Sequence, residues 1–154
     1  MALPPFQTVL DQHRDAVARF LLASVGPDDA DDCLQETLIA ALRAYPGLRS
    51  PANVRAWLMA IARNKALDSH RARARRAVPV PDPDAGAADP PGEGLDEDLW
   101  QAVRALPPKQ RAAVALRFAG DLSHREIARV LECSEPAARR SLHEGIAKLR
   151  EGWT

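Results

Sequence analysis

Apolar positions along this chain recur at three- and four-residue steps, which predicts amphipathic helices. The first stripe is Phe6, Val9, Leu10, His13, Val17, Phe20 and Leu21, closed by Gly26-Pro27. On that stripe His13 reads as a packed edge residue. A second stripe runs Ala30, Cys33, Leu34, Thr37, Leu38, Ala41, Leu42, Tyr45 and breaks at Pro46-Gly47. Its first turn carries Asp28, Asp29, Asp31 and Asp32, which suit the positive end of a helix dipole. Gln35 and Glu36 face outward. After a loop, a third helix is expected from about Pro51 to Arg76. Val54, Trp57, Leu58, Ile61, Ala62 and Leu67 form its inner face; Arg55, Arg63, Asn64, Lys65, Asp68 and Arg71 lie on its polar side.

A further group of helices begins at Leu95. Leu95, Leu99, Val103 and Leu106 mark a short helix ended by Pro107-Pro108. Proline can open the next helix, which carries Val114, Leu116 and Phe118 and stops at Gly120. Ser123-His-Arg-Glu126 has the spacing of a capping box, in which the hydroxyl accepts one orphan amide and the carboxylate reaches back to another. Ile127, Ala128, Val130 and Leu131 form the narrow apolar face that follows. Glu132-Cys133-Ser134 is a tight turn, with Ser134 placed to cap the next helix. Ala138, Leu142, Ile146 and Leu149 are that helix's inner stripe; Ala137, Arg139, Arg140 and His143 are its outer face.

Composition fits this reading. Ala, Leu and Arg dominate the 154 residues, and aromatics are only 5%, which disfavours a sandwich or barrel. Residues 77–98 hold five prolines and three glycines and few large apolar residues, so they are expected to be extended or disordered. The formal charge is zero, but it is segregated: net +3 over 1–76, −7 over 77–98 and +4 over 99–154. The architecture expected is all-α: two small helical domains, 1–76 and 95–154, joined by a flexible Pro/Gly/Asp-rich linker, 77–94. No apolar run approaches membrane-spanning length, and Met1-Ala-Leu-Pro-Pro-Phe6 lacks the features of a secretory leader, which points to the cytoplasm.

Catalytic and metal chemistry find little footing. Cys33 and Cys133 form no CxxC and read as buried thiols. None of the four histidines pairs with a Cys or carboxylate at a ligand spacing, and no Gly-rich phosphate loop or nucleophile elbow appears. The expectation is a non-enzyme without cofactor or metal. Nucleic-acid chemistry fares better. Arg71-Ala-Arg73-Ala-Arg75-Arg76 can fork onto phosphates. A short helix, a three-residue turn and a longer helix with Arg139 and Arg140 outward suit a major groove, with small Ala137 allowing close approach.

At this point the chain resembles a family: small sigma factors of bacterial RNA polymerase, of the extracytoplasmic-function type. Asp29-Ala-Asp31-Asp32-Cys-Leu34-Gln35-Glu36-Thr37 resembles the region-2 helix that binds the clamp coiled coil of the largest polymerase subunit. Arg55-Ala-Trp57-Leu58-Met-Ala-Ile61-Ala62-Arg63-Asn64-Lys-Ala-Leu67-Asp68 resembles the promoter-melting helix. Leu106-Pro107-Pro108-Lys-Gln110-Arg111 and Leu122-Ser123-His-Arg-Glu126-Ile127-Ala128 resemble region 4.

The resemblance implies polymerase docking through Asp28, Asp29, Asp31, Asp32, Gln35 and Glu36. It implies −10 melting and base capture by the loop Leu48, Arg49, Ser50 to Asn53 and by Asn64, with Trp57 and Asp68 on the same helix and Arg55, Arg63, Lys65 and Arg71 on the backbone. Unstacked bases expose edges that a duplex hides. It implies −35 reading by Ser134, Glu135, Pro136, Ala137, Arg139, Arg140 and His143, a contact with the flap of the second-largest subunit, and a linker passing through the RNA-exit path. It also admits an anti-sigma partner and a monomer on the polymerase. Pro136-Ala137 replaces the family's usual Gly-Thr pair, and Glu144-Gly145-Ile146-Ala147 replaces basic residues. Glu144 would repel phosphate if it faced DNA, and Gly145 weakens a helix interior by ~1 kcal/mol relative to Ala. The alternative is a sigma-like helix-turn-helix regulator that does not start transcription; it would have no use for the helix Asp28–Tyr45.

Overall fold

The computed structural model describes residues 3–50, 53–76 and 97–152, and every regular element among them is helical. In chain order these are α1 (Phe6–Val25), α2 (Pro27–Ala44), a 3-10 turn (Tyr45–Gly47), α3 (Val54–Arg76), α4 (Glu97–Arg104), α5 (Pro108–Phe118), α6 (His124–Leu131) and α7 (Glu135–Glu151). The linker expectation for 77–94 and the start of a helix at Leu95 lie outside the described residues, as do Pro51 and Ala52.

One glycine joins α1 to α2. Gly26 has φ +84°, a conformation that L side chains rarely adopt. Its amide caps the Leu22 carbonyl of α1, and its own carbonyl accepts from Ala30 in α2. Pro27 then supplies the first helical residue without wasting a donor. The two helices pack on α3 through Val17, Phe20, Leu21, Cys33, Thr37, Ala41, Leu58 and Ala62, all buried. Thr37, wholly buried, is satisfied within its own helix by donating to the Cys33 carbonyl at 2.7 Å. Tyr45 packs at a tilt against Phe6 and Trp57, with ring centres 5.2 and 6.2 Å apart, and its hydroxyl donates to the Pro4 carbonyl.

The second group, α4–α7, builds its own centre from Val103, Val114, Leu116, Leu122, Ile127, Val130, Ala138 and Leu142. The two groups also pack on each other: α1 against α4 and α5, and α3 against α6. Met59 is fully buried although it lies off the inner stripe of α3; its methyl sits 3.4 Å from where a Cβ on Gly120 would stand. Helix α3 is therefore apolar on two faces, one for α1 and α2 and one for the second group. Trp57, Ile61 and Leu67 are only partly buried, whereas Ala56 and Met59, absent from the expected face, are buried.

Three expectations need correction. Leu42 is 56% exposed, because with Ile39 (51%) it lies on the side of α2 turned away from α1 and α3. Phe118 is 61% exposed: α7 covers Gln110 and Val114, and one turn further on Phe118 lines a shallow cleft with Arg19, Leu22, Glu97 and Trp100. Cys133 is exposed in the turn after α6, while Cys33 is buried.

Candidate functional site

Three surfaces carry the chemistry foreseen in the sequence. The first is the outer side of α2. Asp28, Asp31, Asp32, Gln35 and Glu36 are exposed and Asp29 is half-buried. Ile39 and Leu42 continue the same side at helical spacing, so a row of carboxylates runs into an uncovered aliphatic pair. Sequence reasoning missed this pair by assigning Leu42 inward. The signal was present, since Gln35, Ile39 and Leu42 follow a four- and three-residue step. At the head of α2, Asp29 pairs with Arg73 at 3.0 Å and Asp28 approaches it at 3.9 Å, tying α2 to the arginine-rich end of α3. Burial pushes the Cys33 thiol up, with Asp29, Glu36 and Asp32 adding to the effect against a Ser69 hydrogen bond.

The second surface is the start of α3 and the loop before it. Leu48 is partly buried, while Arg49 and Ser50 are exposed. Asn53 has φ +61°, and its carbonyl accepts the Trp57 amide at 3.0 Å, so it turns the chain into the helix. Arg55 is engaged on both sides: its Nε donates to His13 Nδ1 at 3.3 Å, and its Nη1 lies 3.6 Å from Asp121. Burial, then the Arg55 charge, lowers the His13 pKa. Asn64 is exposed and Lys65 half-buried; Arg63 keeps a buried Nε with no partner. Arg71 and Asp68, both exposed, stand 3.9 Å apart, too loose and too solvated to fix either side chain.

The third surface is the pair α6 and α7. The capping box forms: Ser123 Oγ accepts from the Glu126 amide at 3.2 Å, and Glu126 Oε1 accepts from the Ser123 amide at 2.9 Å. Glu132 in the left-handed region ends α6, and Ser134 Oγ accepts from the Ala137 amide at 3.2 Å to start α7. Arg139, Arg140 and His143 are exposed on the outer face, and Arg139 is held by Glu135 at 2.9 Å. The residues that break the basic pattern have a packing cause. Gly145 is buried against α5, where a Cβ would meet Val114 Cγ2 at 2.9 Å, and Glu144 accepts from Gln110 of α5 at 3.3 Å. Here the helix meets α5 through Gly145, while Glu144 stays exposed and its carboxylate reaches back to Gln110.

Behind these surfaces, His70 sits where α3 meets α1 and α5. Its Nε2 is buried without a partner. Burial, and next the Arg111 charge, lowers its pKa, against a backbone hydrogen bond to Ser24. Arg111 itself is pulled down by burial and donates to the Arg104 carbonyl at 3.3 Å.

Residues 9–76 match the Sigma-70 region 2 model and residues 96–149 the Sigma-70, region 4 model. The chain is 34% identical over 160 residues to the ECF RNA polymerase sigma factor SigE of Mycolicibacterium smegmatis, covering 97% of this chain but only 62% of that protein. It is 32% identical over 149 residues to the RNA polymerase sigma-E factor of Streptomyces antibioticus, covering 95% and 83%. Its fold matches the sigma factor RpoE of Bartonella quintana, solved in complex with the anti-sigma factor NepR, with a TM-score of 0.80, 26% identity and coverage of 95% and 94%. Among the described residues no helix is long and apolar enough to cross a membrane.

Proposed function

The chain belongs to the sigma-70 family, in its extracytoplasmic-function group, and from that premise we propose that it binds core RNA polymerase and directs promoter-specific transcription initiation. The work divides between residues 1–76 and 95–154. The outer side of α2, with Asp28, Asp29, Asp31, Asp32, Gln35 and Glu36, docks on the clamp coiled coil of the largest polymerase subunit, and Ile39 and Leu42 extend that dock with apolar area. The loop Leu48 to Asn53, with Trp57 and Asn64, captures unstacked −10 bases, while Arg55, Arg63, Lys65 and Arg71 neutralise phosphates. Ser134 to Ala137, Arg139, Arg140 and His143 read the −35 element in the major groove, and the region-4 domain meets the flap of the second-largest subunit. No bond is made or broken by the chain; binding energy selects and opens DNA. It acts in the cytoplasm as one copy per polymerase, and the solved complex of its relative RpoE with an anti-sigma factor supports a partner of that kind for this chain.

One observation carries this reading. A helix-turn-helix is preceded on the same chain by an outward helix face of carboxylates ending in Ile39 and Leu42, a surface that reading DNA alone does not require. The test is run-off transcription with core polymerase and a promoter library. Defined new start sites are expected; a folded chain that yields none on any template refutes the proposal.

A further inference from the structure

A carboxylate stands among the basic residues of α7. At 3.6 residues per turn, Glu144 lies about 40° around the helix from Arg140 and about 6 Å further along its axis. Arg140, His143 and Glu144 are all exposed, whereas Ala138, Leu142 and Gly145 are buried on the other side. Glu144 therefore belongs to the face assigned above to the −35 element, not to the inner stripe. Arg140 and Lys148, four residues to either side, have the spacing that favours an ion pair. Among the described residues neither pairs with Glu144; its Oε2 accepts instead from the Gln110 amide at 3.3 Å.

That contact is built from behind. Gly145 is buried where α7 meets α5, and a Cβ there would stand 3.4 Å from both Cβ and the carbonyl oxygen of Gln110. The close approach lays the half-buried Gln110 stem against α7, so that its amide emerges beside Glu144. An amide leaves the charge of the carboxylate intact, where an arginine would cancel it. It engages Oε2 and leaves Oε1 without a partner among the described residues. The result is an exposed, still negative group, steadied at one oxygen, on a helix face that the proposed function lays in a major groove.

Duplex DNA carries one negative charge per about 1.7 Å of its axis, so phosphates repel a carboxylate. Base edges offer it one good partner. In the major groove cytosine presents only its N4 amino donor; adenine sets an N7 acceptor beside its N6 donor, and guanine N7 and O6 and thymine O4 are acceptors. We propose that Glu144, positioned by Gln110, reads a cytosine of the −35 element through its N4 amino group and is a specificity-determining residue of this chain. The proposal rests on the −35 role assigned above to α7. Arg139 and Arg140 supply attraction to guanine edges and phosphates, whereas Glu144 supplies discrimination, gaining at cytosine and being penalised at every other base. Gln110 touches no base in this arrangement; it is a positioning residue that acts through Glu144.

The full chain is assembled with core polymerase and offered duplexes randomised across the −35 element, and the bound DNA is sequenced. The parent is compared with Glu144→Ala, Glu144→Gln and Gln110→Ala. A second arm repeats the selection with the full chain alone at low salt. Circular dichroism identifies any variant that has lost its helices. The parent is expected to favour cytosine at one position by about fivefold or more. Glu144→Ala should level that position and leave the others as they were. Glu144→Gln should move the preference at the same position to adenine, whose N6 and N7 suit the two ends of an amide. A carboxylate that is merely repulsive or structural would not redirect the choice of base. Gln110→Ala should weaken the cytosine preference without redirecting it. If both Glu144 variants tighten binding to all sequences alike, or leave every position unchanged, the proposal is overturned. A parent that favours cytosine at no position in either arm overturns it too. If the chain binds no polymerase, the functional reading falls, while the free-chain arm still decides what Glu144 reads.

Discussion

An alanine placed at Gly145 sets two effects of similar size against each other. By helix propensity alone the substitution should stabilise α7 by about 1 kcal/mol. The added methyl, however, would stand 2.9 Å from Val114 Cγ2 and 3.4 Å from both Cβ and the carbonyl oxygen of Gln110. Val114 is 2% exposed. As a β-branched residue in a helix it has one strongly preferred rotamer, so it cannot turn aside. Overpacking of this kind costs about 1–3 kcal/mol. The steric term should win, leaving a net loss of roughly 1 kcal/mol for Gly145→Ala. In urea unfolding of the full chain, the midpoint should fall at unchanged slope, with a melting temperature lower by about 2–4 °C. A second arm isolates the cause: in a Val114→Ala background the obstructing Cγ2 is gone, and Gly145→Ala should become neutral or stabilising. Gly47→Ala, where nothing lies within 4 Å of the new Cβ, serves as the control and should stay within about 0.5 kcal/mol. If Gly145→Ala stabilises the parent chain by the full propensity gain, the close approach of α7 to α5 is wrong.

Three further outcomes follow from the same geometry. Arg139→Ala/Arg140→Ala should weaken promoter binding and lower the slope of log affinity against log salt by up to about 2; an unchanged slope removes both from the phosphate contacts. Ile39→Ser/Leu42→Ser should leave stability within about 0.5 kcal/mol, since both are exposed, yet reduce co-migration with core polymerase on a sizing column; undiminished co-migration means that the aliphatic pair faces no partner. His70 is held below its ordinary pKa of 6.5 by burial and then by Arg111, with Arg73 acting in the same sense and the Ser24 carbonyl and Asp29 opposing. Just below pH 6.5 the unfolded chain then binds more protons than the folded one, so stability is full above that value and declines as pH falls. His70→Asn should flatten the decline in urea midpoint between about pH 7.5 and 5.5. His13 shifts in the same direction, so His13→Asn/His70→Asn should flatten it further, and a slope indifferent to both replacements refutes the assignment.

Local chemistry was readable in the sequence wherever a few neighbouring residues decide it. The Ser123–Glu126 box, the Glu132–Ser134 turn and the Gly26-Pro27 break all involve partners within four residues, and the structure builds each of them. The stripe of α1 is buried at Val9, Val17, Phe20 and Leu21, but Ala16, Ala23 and Ser24 are buried off it, because α1 meets α4 and α5 as well as α2 and α3. Errors collect where burial depends on a distant partner. Met59 looked like an off-stripe residue because the turn that covers it lies in the other half of the chain. Gly145 and Glu144 looked like defects in a DNA-facing helix because only the packed structure sets Gly145 against Val114 and brings Glu144 to Gln110. Leu42 and Phe118 have the right period and the wrong address: an apolar side chain reports an amphipathic face, but whether a neighbour occupies it is settled in three dimensions. Asn53 and Asp121, both at positive φ beside the junction, gave no periodic signal at all.

The fit of Met59 against Gly120 constrains how these two positions can drift. A Cβ at Gly120 would also strike the Leu116 carbonyl at 2.8 Å, so that site tolerates almost nothing larger than hydrogen. No change at Met59 relieves that contact with the backbone, whereas the long thioether can re-thread its own side of the gap. Across an aligned set of descendants, position 120 should stay glycine while position 59 drifts among flexible apolar residues.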